Sequence, residues 1–438
     1  MTKKAKPDFV PEAKQPYKIP HNWHWVQWGE VGTFTAGNAF KNEYQGFLEY
    51  KIPFYKVGSL KYSNAKGYIY DSSNTINEQL RAQLKASLIP SDSLIFAKIG
   101  EAIKLNRRSL NAIPCCIDNN LMAFVSEKCL YLYAYYWSMS IDLYNYAHAT
   151  MVPSIRKSDL QAIPFPLPPL AEQQRIVERI ESLFTKLDAA REKAQAVVDG
   201  FELRKAAILY RAFTGKLTGI NSYATVPLSM IADEIRIGPF GSALHKDDYV
   251  SGKIPVINPK HIVDQNIVPD SKTSISEAKA KKLSAYILKQ NDIILARRGT
   301  MGRSAPVTEK EDGWLCGTGS MIIRLKKGYD AVFYSQVLSS GTSVRYLEEN
   351  AVASTMSNLN EKIIRDLPVP NFSAYEQEKI LAIISDLLNG EYQVMESAQQ
   401  VIDNIDAMKK AILGRAFRGE LGANDPSEAS PELAISVL

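Results

Sequence analysis

The sequence predicts an α+β protein in which two blocks of mixed α/β character alternate with two copies of one long helix. Three observations predict it. Shifting the chain by 204 residues lays Leu160–Leu217 on Ile364–Leu421 without a gap, and 21 of the 58 paired positions are identical. Both copies carry apolar residues at alternating spacings of four and three, the pattern of a helix that packs on another helix. The stretches between the copies are instead rich in β-branched and aromatic residues, punctuated by Gly, Asn and Ser. A solenoid repeats every 20 to 50 residues or so. A period of 204 is a duplicated half-molecule, able to close around a pseudo-two-fold axis. Such a molecule suits two half-sites or two copies of a partner.

Residues 1–19 read as a disordered Pro/Lys tail. Residues 20–159 form the first unique block, mostly short strands and loops such as Ile52–Val57 and Ser93–Ala97, with one helix near Leu130–Ile141. Pro164, Pro166, Pro168 and Pro169 mark a rigid boundary, because proline ends regular structure and pre-sets a helix start. Residues 160–219 are the first repeated segment, with one helix from Glu172 to about Phe213. Its seam runs Ile176, Ile180, Leu183, Leu187, Ala190, Ala194, Val197 and Phe201, is broken by Arg204, and resumes at Ile208. About 42 residues at 1.5 Å rise give a rod of roughly 60 Å. Residues 220–363 are the second unique block, where Leu295–Gly299 matches Phe96–Gly100. Residues 364–421 repeat the helix with Ile380, Ile384, Leu387, Val394, Ala398, Val401, Ile405, Met408 and Ile412 in its seam, Glu391 being the one charge there. This stripe reads as an intramolecular core whose role is to fix the distance between two readers. Gly215 and Gly419 terminate the helices. Residues 422–438 read as a polar, disordered tail.

Composition narrows the function. Cys115, Cys116, Cys129 and Cys316 have no metal-type spacing and are few for 438 residues, which points to a reducing cytoplasm. No apolar run is long enough to span a membrane, and the basic N-terminus lacks a signal-peptide core. The net charge of +5 is unevenly spread. Residues 1–159 hold 19 Lys and Arg against 13 Asp and Glu, and residues 220–358 hold 17 against 14. Residues 359–438 hold 7 against 13. Basic unique blocks fit an anionic partner, nucleic acid first among them.

Catalytic signatures are absent. There is no GxxxxGK[ST] loop, GxSxG elbow or HExxH. Asn258-Pro259 is followed by Lys260-His261, without the aromatic that stacks on a flipped adenine, and no glycine-rich cofactor loop precedes it. His21 and His24 lack further metal-type neighbours, and His148, His245 and His261 are isolated. The chain therefore reads as non-catalytic, with no cofactor or metal of its own. Its candidate DNA-binding residues are Lys98, Arg107, Arg108, Lys246, Arg297, Arg298 and Arg303. The last three surround Gly299 and Gly302; glycine lets backbone approach a phosphate, and arginine grips phosphate or guanine through two donors. A solvated basic hairpin is the plainer reading. Asn119 and Asn120 suit adenine chemically, but a turn is the plainer reading of an Asn-Asn pair.

The chain carries Ile19-Pro-His-Asn-Trp23 with Gly29 and Val31, Ile163-Pro-Phe-Pro-Leu-Pro-Pro-Leu-Ala-Glu-Gln173, and Ala207–Leu217 with its copy ending Gly419-Glu-Leu421. It also carries Gly238-Pro-Phe-Gly-Ser242 and the run from Asp292 to Gly302. Taken in order, these motifs resemble a type I restriction-modification specificity subunit over nearly the whole chain, the last two its target-recognition motifs. The resemblance implies two target-recognition domains (residues 20–159 and 220–363), each reading half of a bipartite asymmetric site in double-stranded DNA. It implies that the repeated helices form an antiparallel coiled coil that sets the spacer and docks two methylation subunits. S-adenosylmethionine would come with those subunits, and ATP and Mg with two restriction subunits where these join. A coiled-coil scaffold that binds proteins without reading DNA is the alternative.

Overall fold

The computed structural model describes residues 10–148, 151–219, 223–239, 243–351 and 359–431. Two compact units divide the chain: Met1–Lys193 with Val401–Leu438, and Ala194–Gln400. The long helices Leu170–Asp199 and Ala374–Ala416 contribute a segment to each.

In the first unit a five-stranded sheet runs in the order Gly32–Ala36, Leu121–Ser126, Leu94–Ala97, Arg108–Asn111, Tyr68–Ile69. Its pairs are antiparallel except the last. A smaller sheet joins Thr75–Ile76, Ile52–Tyr55 and Cys116–Ile117. The helix expected near residues 130–141 is Tyr131–Met139. Trp28, Phe34, Phe124, Tyr133, Trp137 and Phe165 fill the core beneath it.

The second unit repeats this plan. An antiparallel sheet runs Ala232–Ile237, Ser320–Leu325, Asp292–Ala296, Ser304–Pro306. A second sheet holds Tyr249–Val250, Ser274–Ile275, Ile254–Ile257 and Leu315–Cys316. Ala331–Leu338 takes the place of Tyr131–Met139. Pairing registers coincide: Leu94 faces Phe124 and Ala97 faces Leu121, as Ile293 faces Ile323 and Ala296 faces Ser320.

The helix repeat has a packing reason. Ile176 and Ile180 enter the first core and Ile380 and Ile384 the second. Leu209, Ala212 and Phe213 are buried in the second core, and their copies Leu413, Ala416 and Phe417 in the first. Phe213 meets Phe333 edge-on at 5.4 Å, and Phe417 meets Tyr133 edge-on at 5.3 Å. Gly215 and Gly419 follow with φ of +70° and +74°, the left-handed helix end that glycine adopts freely.

Within each unit the helices pair antiparallel. Asp188 bonds Lys409 and Arg191 bonds Asp406 in the first. Phe201 packs on Tyr392 and Arg204 pairs with Glu391 at 2.7 Å in the second. Arg204 and Glu391, the two charges that interrupt the seam, thus answer each other.

Three expectations need correction. The first helix is not continuous: Leu170–Asp199 and Phe201–Phe213 meet at Gly200, where Arg204 also takes the Val197 carbonyl at 2.9 Å. Glycine weakens a helix interior by about 1 kcal/mol, and the other copy has Asn404 here. The seam is not wholly core, since Leu387, Val394, Val401 and Met408 are 40%, 52%, 46% and 50% exposed. The described parts of both terminal segments are held, not free. Val10 is buried and donates its N–H to the Trp25 carbonyl. Arg175 grips Glu428 with two 2.8 Å bonds, and Asn424 bridges Asn22 and Glu172. Residues 1–9 and 432–438 lie outside the described residues.

The boundary prolines also form structure. Pro164–Leu167 pairs with His24–Gln27, and Pro368–Asn371 pairs with Ala224–Pro227. Two-stranded ribbons have free edges on both sides, where a missing proline N–H costs no ladder bond.

Candidate nucleic-acid interface

Each central sheet carries a hairpin whose connection begins and ends in a cation. In the first unit Leu94–Ala97 and Arg108–Asn111 are joined through Lys98 and Arg107. In the second, Asp292–Ala296 and Ser304–Pro306 are joined through Arg297 and Arg303. The ladders make Phe96 opposite Arg108 equivalent to Leu295 opposite Ser304. Lys98 therefore corresponds to Arg297, Arg107 to Arg303, and Arg108 to Ser304.

The backbone at Lys98 and at Arg297 makes two matching bonds. Lys98 N–H donates to the Asn120 carbonyl and Arg297 N–H to that of Gly319, both at 2.9 Å. The Lys98 carbonyl accepts from Ile155 N–H at 2.9 Å, and the Arg297 carbonyl from Leu359 N–H at 3.1 Å. Gly100 and Gly299 follow with φ of +82° and +83°, where a side chain would strain the backbone. Ile103 and Met301, both buried, anchor the two loops from within.

The cations differ in burial. Arg297 is half-buried, and its Nε donates to the Leu359 carbonyl at 2.9 Å. Burial first, and then the charge of Arg298, lowers its pKa from the ordinary arginine value. Two cations side by side on a partly desolvated loop are unfavourable alone and favourable with an anion between them. Arg298 is exposed. Arg303 is half-buried and donates to the Pro259 carbonyl at 3.3 Å and to Thr300 Oγ1 at 3.0 Å. Lys98 is half-buried and Arg107 exposed.

Arg108 does not belong with them. It is 7% exposed and donates to both oxygens of Asn106 at 2.6 Å and to the Ile141 carbonyl at 3.0 Å. Burial pulls its pKa down to about 10. It is a strut inside the sheet, which corrects its expected place at DNA; adjacent positions in a strand face opposite ways. Lys246 is exposed on a separate turn, Lys246–Asp248, beside two carboxylates. Gly241 and Ser242 before it lie outside the described residues.

The isolated histidines have structural employment. Asn258 N–H donates to His261 Nδ1 at 3.1 Å, closing the turn at Asn258-Pro259. His261 is 3% exposed, and burial lowers its pKa. His148 contacts Asp159 at 2.8 Å. Among the described residues no group of three metal-type side chains gathers, and no helix is long and apolar enough to cross a membrane. The residues overlooked in the sequence are Ile155 and Leu359, which strap the loops and stand 204 apart like the rest of the repeat.

Comparisons with known proteins agree with this plan. The family model described as type I restriction modification DNA specificity domain matches residues 20–197 and 239–404. The type I restriction enzyme EcoBI specificity subunit of Escherichia coli is 23% identical over 439 residues, covering 95% of this chain and 89% of that protein. The StySPI specificity subunit of Salmonella potsdam is 21% identical over 436 residues, covering 95% and 92%. The crystal structure of the HsdS subunit from Thermoanaerobacter tengcongensis superposes with a TM-score of 0.64 at 17% identity, over 93% of this chain and 100% of that one. At that identity the likeness is one of fold.

Proposed function

Since the chain belongs to the type I restriction modification DNA specificity family, we propose that it selects the DNA sequence for a methyltransferase complex without catalysing a step itself. Each strand-rich block reads one half of a bipartite asymmetric site. The observation that carries this reading is the pair of equivalent cationic hairpins, Lys98 to Arg107 and Arg297 to Arg303. One scaffold is kept twice while the side chains on it differ, as two readers of different sequences require. Phosphate neutralisation by these cations places the hairpin against the backbone, and exposed neighbours address base edges.

The repeated helices have two tasks in this reading. They set the spacer, and they dock two methylation subunits that bring S-adenosylmethionine and the adenine chemistry. The exposed apolar positions Leu387, Val394, Val401 and Met408, seven residues apart on one helix, support docking. Restriction subunits bring ATP and Mg where they join. The site of action is the cytoplasm.

Mapping adenine methylation genome-wide, with the methylation subunit expressed with and without this chain, tests the proposal. A bipartite motif of fixed gap that vanishes without the chain is the expected result. Unchanged methylation with an active partner would favour a protein-binding scaffold.

A further inference from the structure

We propose that two pairs of equivalent positions, Ile99 with Arg298 and Asn119 with Thr318, determine which bases the two blocks prefer. This rests on the reading of the chain as a DNA specificity subunit and names the residues that would carry it.

The argument is the duplication itself. Ile99 and Arg298 both lie between the matched cation and the left-handed glycine, at Lys98 and Gly100 or at Arg297 and Gly299. Asn119 and Thr318 both sit in a turn beside that loop. Leu121 N–H donates to the Asp118 carbonyl at 3.0 Å, and Ser320 N–H to that of Gly317 at 3.1 Å. Each turn is anchored behind by its first N–H, Asp118 to Tyr55 and Gly317 to Ile257, at 2.9 Å in both. Each is joined to the hairpin by the bond from Lys98 to Asn120 or from Arg297 to Gly319. The backbone is thus the same frame in both blocks, while the side chains it presents have changed class.

Asn119 is not spent on its own turn. The Asp118 carboxylate already accepts the Asn120 N–H at 2.9 Å, and the Asn119 side chain is exposed. Asparagine bonds adenine through its N6 and N7 edge, and an aliphatic side chain meets a thymine methyl. Arginine grips guanine, and threonine offers a methyl or one hydrogen bond. The first block should therefore favour A·T at the positions these residues meet, and the second a G·C pair at the position of Arg298.

The test uses the full chain co-expressed with its methylation subunit, reading the methylated motif for Asn119→Ala, Ile99→Arg and Arg298→Ile. Asn119→Ala and Ile99→Arg should alter base preference in one half of the motif by about ten- to a hundred-fold. The gap and the other half should stay as they are. Arg298→Ile should alter the opposite half alone. An unchanged motif in Asn119→Ala and Arg298→Ile would overturn the assignment and leave the specificity role standing. Equal weakening at every sequence would overturn it too, as the mark of phosphate contact only. Should the unaltered chain direct no bipartite motif, the specificity reading itself falls. The intact half of the motif reports folding within the same experiment.

Discussion

Gln173 and Gln377 hold the two blocks to their long helices with the same hydrogen bonds, 204 residues apart. Gln173 Nε2 donates to the Pro168 carbonyl at 2.9 Å and its Oε1 accepts Leu130 N–H at 2.8 Å. Gln377 Nε2 donates to the Phe372 carbonyl and its Oε1 accepts Asp330 N–H, both at 2.8 Å. Both glutamines are 1% exposed, and Leu130 and Asp330 cap equivalent helices. Replacing either by Met strips the partner from a helix-capping N–H and from a buried carbonyl. Each replacement should cost about 1–3 kcal/mol. Thermal denaturation of the full chain checks this, and an unchanged melting temperature would refute it.

The second block contains an ion-pair network that has no counterpart among the described residues of the first. Arg324 binds the Asp292 carboxylate through Nε at 2.9 Å and Nη2 at 2.7 Å, and Glu234 through Nη1 at 2.7 Å. The Asp292 side chain is 1% exposed, and burial raises its pKa despite Arg324. Arg324→Met leaves that carboxylate buried without its partner, and a loss on the order of 3 kcal/mol follows. Adding Asp292→Asn should recover part of it. Denaturant melts of the single and double variants decide; no recovery would mean the pair is not the source of the loss.

The repeat was legible because it governs packing. Helix copies must bury the same Leu, Ala and Phe in two similar cores, so their sequences stayed alike. The equivalence of Arg107 and Arg303 was not legible, because one loop is three residues longer than the other and no gapless shift aligns both ends. Only the strand register reveals it. Arg108 misled for a related reason. Two neighbouring arginines look alike in sequence, and the strand that begins at Arg108 sends its side chain inward. The terminal clasp was hidden because Asn424, Asp425 and Glu428 are the composition of a loose tail, and their partners Asn22, Glu172 and Arg175 are more than 240 residues away.

That clasp should open in acid. Arg175 holds the Glu428 carboxyl below the usual glutamate range. A depressed pKa gives stability that is present above the unfolded value and lost as pH falls through the folded one. Glu172, whose pKa burial raises, works in the opposite sense: its contribution is present in acid and lost as pH rises. Hydrogen exchange between Ala423 and Glu428 should therefore speed up, relative to the intrinsic rate, below the ordinary glutamate pKa. Arg175→Ala should show the faster exchange already at neutral pH. Equal protection in that variant would exclude Arg175 as the latch.

Arg107 and Arg108 stand in opposite surroundings within one dipeptide. Arg107 is exposed at the end of the hairpin loop, whereas Arg108 is buried against the Asn106 and Ile141 carbonyls. Arg107→Ala should leave stability within about 0.5 kcal/mol, as surface substitutions usually do. If Arg107 neutralises one phosphate, the slope of log affinity against log salt should become shallower by about one in the assembled complex. Arg108→Ala should do the reverse. It removes a buried guanidinium that bonds the Asn106 and Ile141 carbonyls and costs about 2 kcal/mol, while the folded fraction keeps the salt slope of the unaltered chain. Melting curves and salt titrations on both variants check the pair, and a shallower slope for Arg108→Ala would contradict its role as a strut.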